Sequence, residues 1–108
     1  MNKLKESESG MKNTVKEYLT LKGWYCFHIQ QGMGSYKGIA DIYAIKEGRS
    51  LWIEGKKTGK QNSYQKDFED EIKAHGGEYV IVRSLEDIIF YLKGDAKKNA
   101  DQSKETLY

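Results

Sequence analysis

Between Glu8 and Leu21 apolar residues fall at Met11, Val15, Tyr18 and Leu19, the i, i+4, i+7, i+8 spacing of a helix that buries one stripe. Gly23 supplies its stop. Next, Trp24-Tyr25-Cys26-Phe27-His28-Ile29 is short and aromatic-rich, and reads as a strand in which Trp24, Cys26 and His28 share a face. Segments 39–45 and 49–56 read as two further strands joined by Glu47-Gly48. Their alternation puts Ala40, Ile42, Ala44, Leu51 and Ile53 on one core surface. Asn62-Ser63-Tyr64-Gln65 opens a second helix with a capping-box pattern, Phe68, Ile72 and Ala74 carry it, and Gly76-Gly77 closes it. Tyr79-Val80-Ile81-Val82 is a fourth strand, and Ser84-Leu85-Glu86-Asp87 a second capping box ahead of Ile88, Ile89 and Leu92. The order is helix, strand, strand, strand, helix, strand, helix. That predicts an α/β fold with a mixed central sheet flanked by helices, in a single domain over 1–93. Residues 94–108 have no apolar period and are rich in Lys, Asp, Asn and Gln, so a disordered polar tail is expected there.

With 108 residues, the chain has enough length for one modest core. A net charge of +2 and a pI near 8.5 permit a nucleic-acid partner without requiring one, so the electrostatic case rests on local distribution. Cys26 is the single cysteine, which excludes an intrachain disulfide framework and fits a reducing compartment. No apolar leader begins the sequence and no run is long enough to span a bilayer, so the expectation is a soluble cytoplasmic protein.

The candidate chemistry gathers on the hairpin. Glu54 and Lys56 leave the same face of their strand, roughly 6 to 7 Å apart. If Lys46 pairs with Arg49 across a two-residue turn, Tyr43 faces Trp52 and Asp41 faces Glu54. Opposed residues hold their Cβ atoms roughly 4.5 to 5.5 Å apart, so two carboxylates there need a cation or a shared proton between them. Gly55 lets ligand, metal or another backbone approach closely. After Lys56 the chain is a Lys-rich turn without an acid until Asp67. The loop from Gln30 to Gly38, with Tyr36 and Lys37, also has no acid; it suits a phosphate backbone and equally a flexible connector. Glu8 extends the apolar stripe of the first helix, as a site residue or as a partner of the helix dipole. Gln65 borders the stripe of the second, as a site residue or as a cap. His28 reads as a packing residue with a minor DNA-contact role, His75 as a dipole partner, and Asp67, Glu69, Asp70 and Glu71 as a solvated acidic face away from the site.

The ordered set Glu8, Gly38-Ile39-Ala40-Asp41, Ile53-Glu54-Gly55-Lys56 and Gly59-x-x-Asn62-x-x-Gln65 resembles the virus-type replication-repair nuclease (VRR-NUC) family. That family belongs to the PD-(D/E)xK superfamily with a restriction-endonuclease-like core, and the resemblance runs from Glu8 to Leu92. It implies a DNA endonuclease dependent on Mg²⁺ or Mn²⁺, with Asp41, Glu54 and the Gly55 carbonyl as metal ligands. Lys56 would orient the attacking water, with Gln65 and Glu8 in support. Lys37, Lys57, Lys60, Lys66 and Tyr36 would hold the DNA backbone. Small members resemble Holliday-junction resolvases, which implies branched DNA as substrate, a homodimer, and work in replication, recombination or repair in a bacterial or phage-infected cell. Two positions depart from the family: Ala40 stands where proline is usual, and Gly55 where an apolar, often β-branched residue is usual. A catalytically inactive nucleic-acid-binding module of the same fold is the alternative, and a host-interaction protein without a nucleic-acid role is a third.

Overall fold

In the computed structural model, which describes residues 6–94, helix α1 spans Glu8–Leu21. The Ser7 hydroxyl caps it by accepting from the Gly10 amide at 2.9 Å. Its far end closes in a Schellman pattern, with Trp24 N donating to Leu19 O at 3.0 Å and Gly23 N to Thr20 O at 3.1 Å. Met11, Val15 and Leu19 are fully buried. Each such burial contributes roughly 1.5–3 kcal/mol, against tenths for helix propensity, so the stripe decides how α1 lies.

Strands β1 (Tyr25–His28), β2 (Ile42–Lys46) and β3 (Arg49–Gly55) run antiparallel in sequence, and β4 (Glu78–Val82) joins β3 in parallel through helix α2 (Ser63–Ala74). The result is a four-stranded mixed sheet in the order β1-β2-β3-β4. Glu47 and Gly48 both have positive φ, 51° and 81°, the signature of a two-residue type I′ turn. Lys46 therefore pairs with Arg49 and Tyr43 with Trp52, the register expected from the sequence. The β2–β3 register ends at Ile42 opposite Ile53. Asp41 N donates to Ile53 O at 3.0 Å, one residue off that register, so Asp41 does not pair directly with Glu54 as the turn alone predicts, while Lys56 N donates to Val82 O at 2.9 Å.

Helices cover both faces. Met11, Val15 and Leu19 of α1, with Ile88 of a helix over residues 85–94 (α3), pack on Cys26, Ile42, Ala44, Leu51, Ile53 and Val82. The opposite face brings Trp52, Tyr79 and Ile81 under Phe68 and Ile72 of α2. Here α2 carries the full reciprocal capping box of Asn62 and Gln65. Among the described residues no helix is long and apolar enough to cross a membrane.

Several expectations need correcting. Ala40 does not share the layer of Ile42 and Ala44; it packs with Phe68 and Tyr79 beneath α2. The strand starts only at Ile42, and Gly38, at φ 82°, passes so close to α2 that a Cβ would overlap the Tyr64 carbonyl. Period-two alternation therefore cannot be carried back to residue 40. His28 is exposed although Trp24 and Cys26 are buried, because at the end of β1 it lines an open cleft with Lys12 of α1 and not the apolar stripe of that helix. Glu69 is buried rather than solvated. At the start of α3, the Asp87 carboxylate accepts from the Arg83 amide at 2.7 Å, one residue upstream of the Ser84 amide that a capping box would use. Helix α3 also runs through residue 94, one residue into the expected tail; residues 1–5 and 95–108 lie outside the described residues.

Candidate active site

Glu54 sits near the end of β3, within reach of the first turn of α2, and is only 3% exposed. Gln65, in the first turn of α2, donates from Nε2 to Glu54 Oε2 at 2.9 Å, while its Oε1 accepts from the Asn62 amide at 2.9 Å. One side chain thus caps the helix and bonds the Glu54 carboxylate. Glu54 Oε1 is buried without a hydrogen-bond partner. Burial above all, and then the charge of Asp41, push the Glu54 carboxyl up to about 7, against the pull of Lys56 and Lys12. A buried carboxylate with a bare oxygen and an acid beside it is a place for a proton or a cation.

Asp41 lies at the mouth of the hairpin, held at three points. Its Oδ2 accepts from the Gly55 amide at 2.8 Å, and its Oδ1 from Gln31 Nε2 at 2.9 Å, with the Lys12 ammonium 3.2 Å from Oδ1. Gln31 also donates to the carbonyls of Ile39 at 3.1 Å and Ala40 at 3.3 Å, pinning the approach to β2. Glu8 reaches the same region from α1: its Oε1 accepts from the Lys57 amide at 3.2 Å, and its Oε2 lies 3.5 Å from Lys12 Nζ. The Lys-rich turn is tied down by Arg83, which donates to the carbonyls of Lys56 at 3.3 Å and Gly59 at 2.9 Å. Lys12, Gln31 and Arg83 were absent from the candidate set. Their contacts with Asp41 or with the turn after β3 join separate segments of the chain, so no local pattern marks those contacts.

A cleft of about 570 Å³ opens at Asp41, lined also by Lys12, His28, Ile29, Gln30 and Gln31. His28 has its pKa lowered by burial and by Lys16 and Lys12, so near neutral pH it offers that cleft an uncharged imidazole.

The expected DNA contacts are not gathered in one place. Lys57 and Lys60 lie on the turn after β3, where the Lys57 amide meets Glu8. Tyr36 and Lys37 instead line a separate hollow of about 830 Å³ with Tyr64, Phe68 and the acids Asp67, Asp70 and Glu71; the Lys37 ammonium sits 4.9 Å from the Tyr64 ring centroid. Lys66 is engaged by its own helix, 3.3 Å from Asp70 and 3.6 Å from Glu69. Glu69 is further held by Lys73 at 2.6 Å and Gln61 at 3.1 Å; burial raises its pKa, but these bonds outweigh that and lower it.

As a metal site the cluster offers few protein donors. Among the described residues no group of three or more His, Cys, Asp or Glu side chains converges as a metal cage. Two adjacent carboxylates, one with an unbonded buried oxygen, nevertheless fit a hard divalent cation that keeps water or phosphate as its remaining ligands. Fold and site together define an α/β protein with a paired-carboxylate and lysine site at the end of a mixed sheet. Compared with known proteins, the chain matches no family model and no curated sequence.

Proposed function

We propose that the protein is a metal-dependent DNA endonuclease with a restriction-endonuclease-like core of the VRR-NUC type. The observation that carries this reading is the buried, unbonded Oε1 of Glu54 beside Asp41, followed two residues later by Lys56 at the start of a basic turn. Burying the Glu54 carboxylate beside Asp41 is unfavourable unless a proton or cation meets its bare oxygen, and Mg²⁺ or Mn²⁺ matches these oxygen donors.

In this reading Asp41 and Glu54 hold the metal, with the Gly55 carbonyl available as a backbone ligand. When bound, the cation supplies Lewis acidity toward a phosphodiester and lowers the pKa of a water. Lys56 orients that water and offsets charge developing on the phosphate. Gln65 fixes the Glu54 rotamer through its 2.9 Å bond, and Glu8 stabilises the turn that carries Lys57. Lys57 and Lys60 take the DNA backbone, with Lys37 and Tyr36 as outlying contacts and Lys66 available only at the expense of its ion pairs. A branched, junction-like substrate and a homodimer with one site per cut strand complete the proposal.

One observation favours the alternative of an inactive nucleic-acid-binding module: Asp41 is already fully engaged by protein donors. The deciding experiment is cleavage of duplex, flap, single-stranded and four-way-junction DNA with Mg²⁺, comparing wild type with Glu54→Ala. Cleavage lost in the variant supports the nuclease. DNA binding without Mn²⁺ binding or cleavage in either protein supports the module.

A further inference from the structure

We infer that Lys12 is a positioning residue of this site: its ammonium is the resident counter-ion of Asp41, admitted by the missing side chain at Gly55, and a divalent cation displaces it on binding. The inference rests on the metal-site reading above.

Lys12 lies one helical turn after Glu8, and its side chain is 22% exposed. It crosses directly over Gly55. A Cβ at residue 55 would stand 2.9 Å from Lys12 Cγ and 3.0 Å from Lys12 Cε, with Met11 Cε at 3.2 Å, so a side chain there would make the lysine shift from this path. Gly55 is not in the left-handed region, so the constraint at this position comes from the crossing side chain and not from the backbone.

The ammonium ends between two carboxylates, 3.2 Å from Asp41 Oδ1 and 3.5 Å from Glu8 Oε2. It therefore has a second resting place on its own helix. A cation bound at Asp41 would meet Lys12 at close range, and like charges at such separations in a half-buried site repel strongly. Glu8 then receives the ammonium without exposing it to the cleft. Lys12 in effect compensates Asp41 while no metal is bound, and it weakens metal binding in return.

The test is calorimetric titration of the full chain with MnCl₂ at low salt and without DNA, for wild type, Lys12→Met and Gly55→Ala. Lys12→Met is expected to bind Mn²⁺ about tenfold tighter, ~1.4 kcal/mol, and Gly55→Ala to shift in the same direction because it pushes Lys12 out. Urea unfolding in EDTA across Lys12→Met, Asp41→Asn and the double variant adds a readout that needs no metal. The two single losses should be clearly non-additive. Wild type binding Mn²⁺ with Lys12→Met binding no tighter, or additive losses in the cycle, overturns the role of Lys12 alone. If neither wild type nor Lys12→Met binds Mn²⁺, the metal-site reading and this inference fall together.

Discussion

Replacing Glu54 by Gln in the metal-free protein tests whether this carboxylate is buried against an uncompensated charge. In the unfolded chain its carboxyl titrates near 4.5; in the fold, burial and Asp41 hold it up to about 7. Below pH 4.5 both states carry the proton, so the group is neutral in the balance. Between the two values the unfolded chain releases its proton first, and stability falls as pH rises. Above 7 the loss is complete. At ~1.4 kcal/mol per pH unit, the gap between 4.5 and about 7 amounts to a loss on the order of 3 kcal/mol. Glu54→Gln keeps an oxygen for Gln65 and cannot ionise, so it should remove that slope and leave the protein more stable than wild type at pH 8. Urea unfolding in EDTA at pH 5, 6, 7 and 8 reads both curves. His28, whose pKa is lowered, adds stability as pH rises toward 6.5 and opposes the trend. It is common to both proteins, so the difference between them isolates Glu54. Adding Mg²⁺ at pH 8 should restore wild type and leave Glu54→Gln unchanged. A wild-type curve that does not fall relative to the variant between pH 5 and 8 would refute the reasoning.

Four further outcomes are expected. Gly38→Ala should lower stability by at least ~2 kcal/mol in urea melts, because φ is 82° and the new methyl would overlap the Tyr64 carbonyl. Gln65→Ala strips the bond from Glu54 Oε2 and half of the α2 cap, a loss of about 2 kcal/mol that thermal unfolding would register. Lys56→Ala should reduce cleavage of a junction substrate by about 10²-fold with an unchanged circular dichroism spectrum; near-wild-type turnover would exclude its role. In DNA binding as a function of NaCl, Lys60→Gln should lower the salt slope by about one. Lys66→Gln should lower it less, since Glu69 and Asp70 already occupy that ammonium.

Local rules carried much of the architecture. The Met11, Val15, Leu19 stripe, the Asn62 to Gln65 cap and the Glu47-Gly48 turn are each set by contacts within a few residues, and all three formed as expected. The turn was the most informative, because a two-residue type I′ connection fixes the register of both strands from Lys46 opposite Arg49 to Ile42 opposite Ile53; the register stops short of Asp41, whose amide bonds Ile53 O instead. Where locality failed, the reason is visible in particular residues. Ala40 was assigned by alternation to a layer that it leaves, because Gly38 bends against Tyr64. Glu69 looked like one acid among four, and its burial depends on Gln61 and Lys73 closing over it.

The amino-acid sequence by itself determined the elements, the hairpin register and the acids and lysine that make the site plausible, since periodicity and turn chemistry act over short stretches of chain. Only the tertiary structure decided the environment of those groups: that Glu54 is buried with an unbonded oxygen, that Gln31 and Lys12 grip Asp41, and that the Lys12 side chain crosses over Gly55. Burial and charge pairing are sums over every element packed at a point, and residues 12, 31, 41, 54 and 65 meet there from separate elements. No pattern along the chain encodes that meeting.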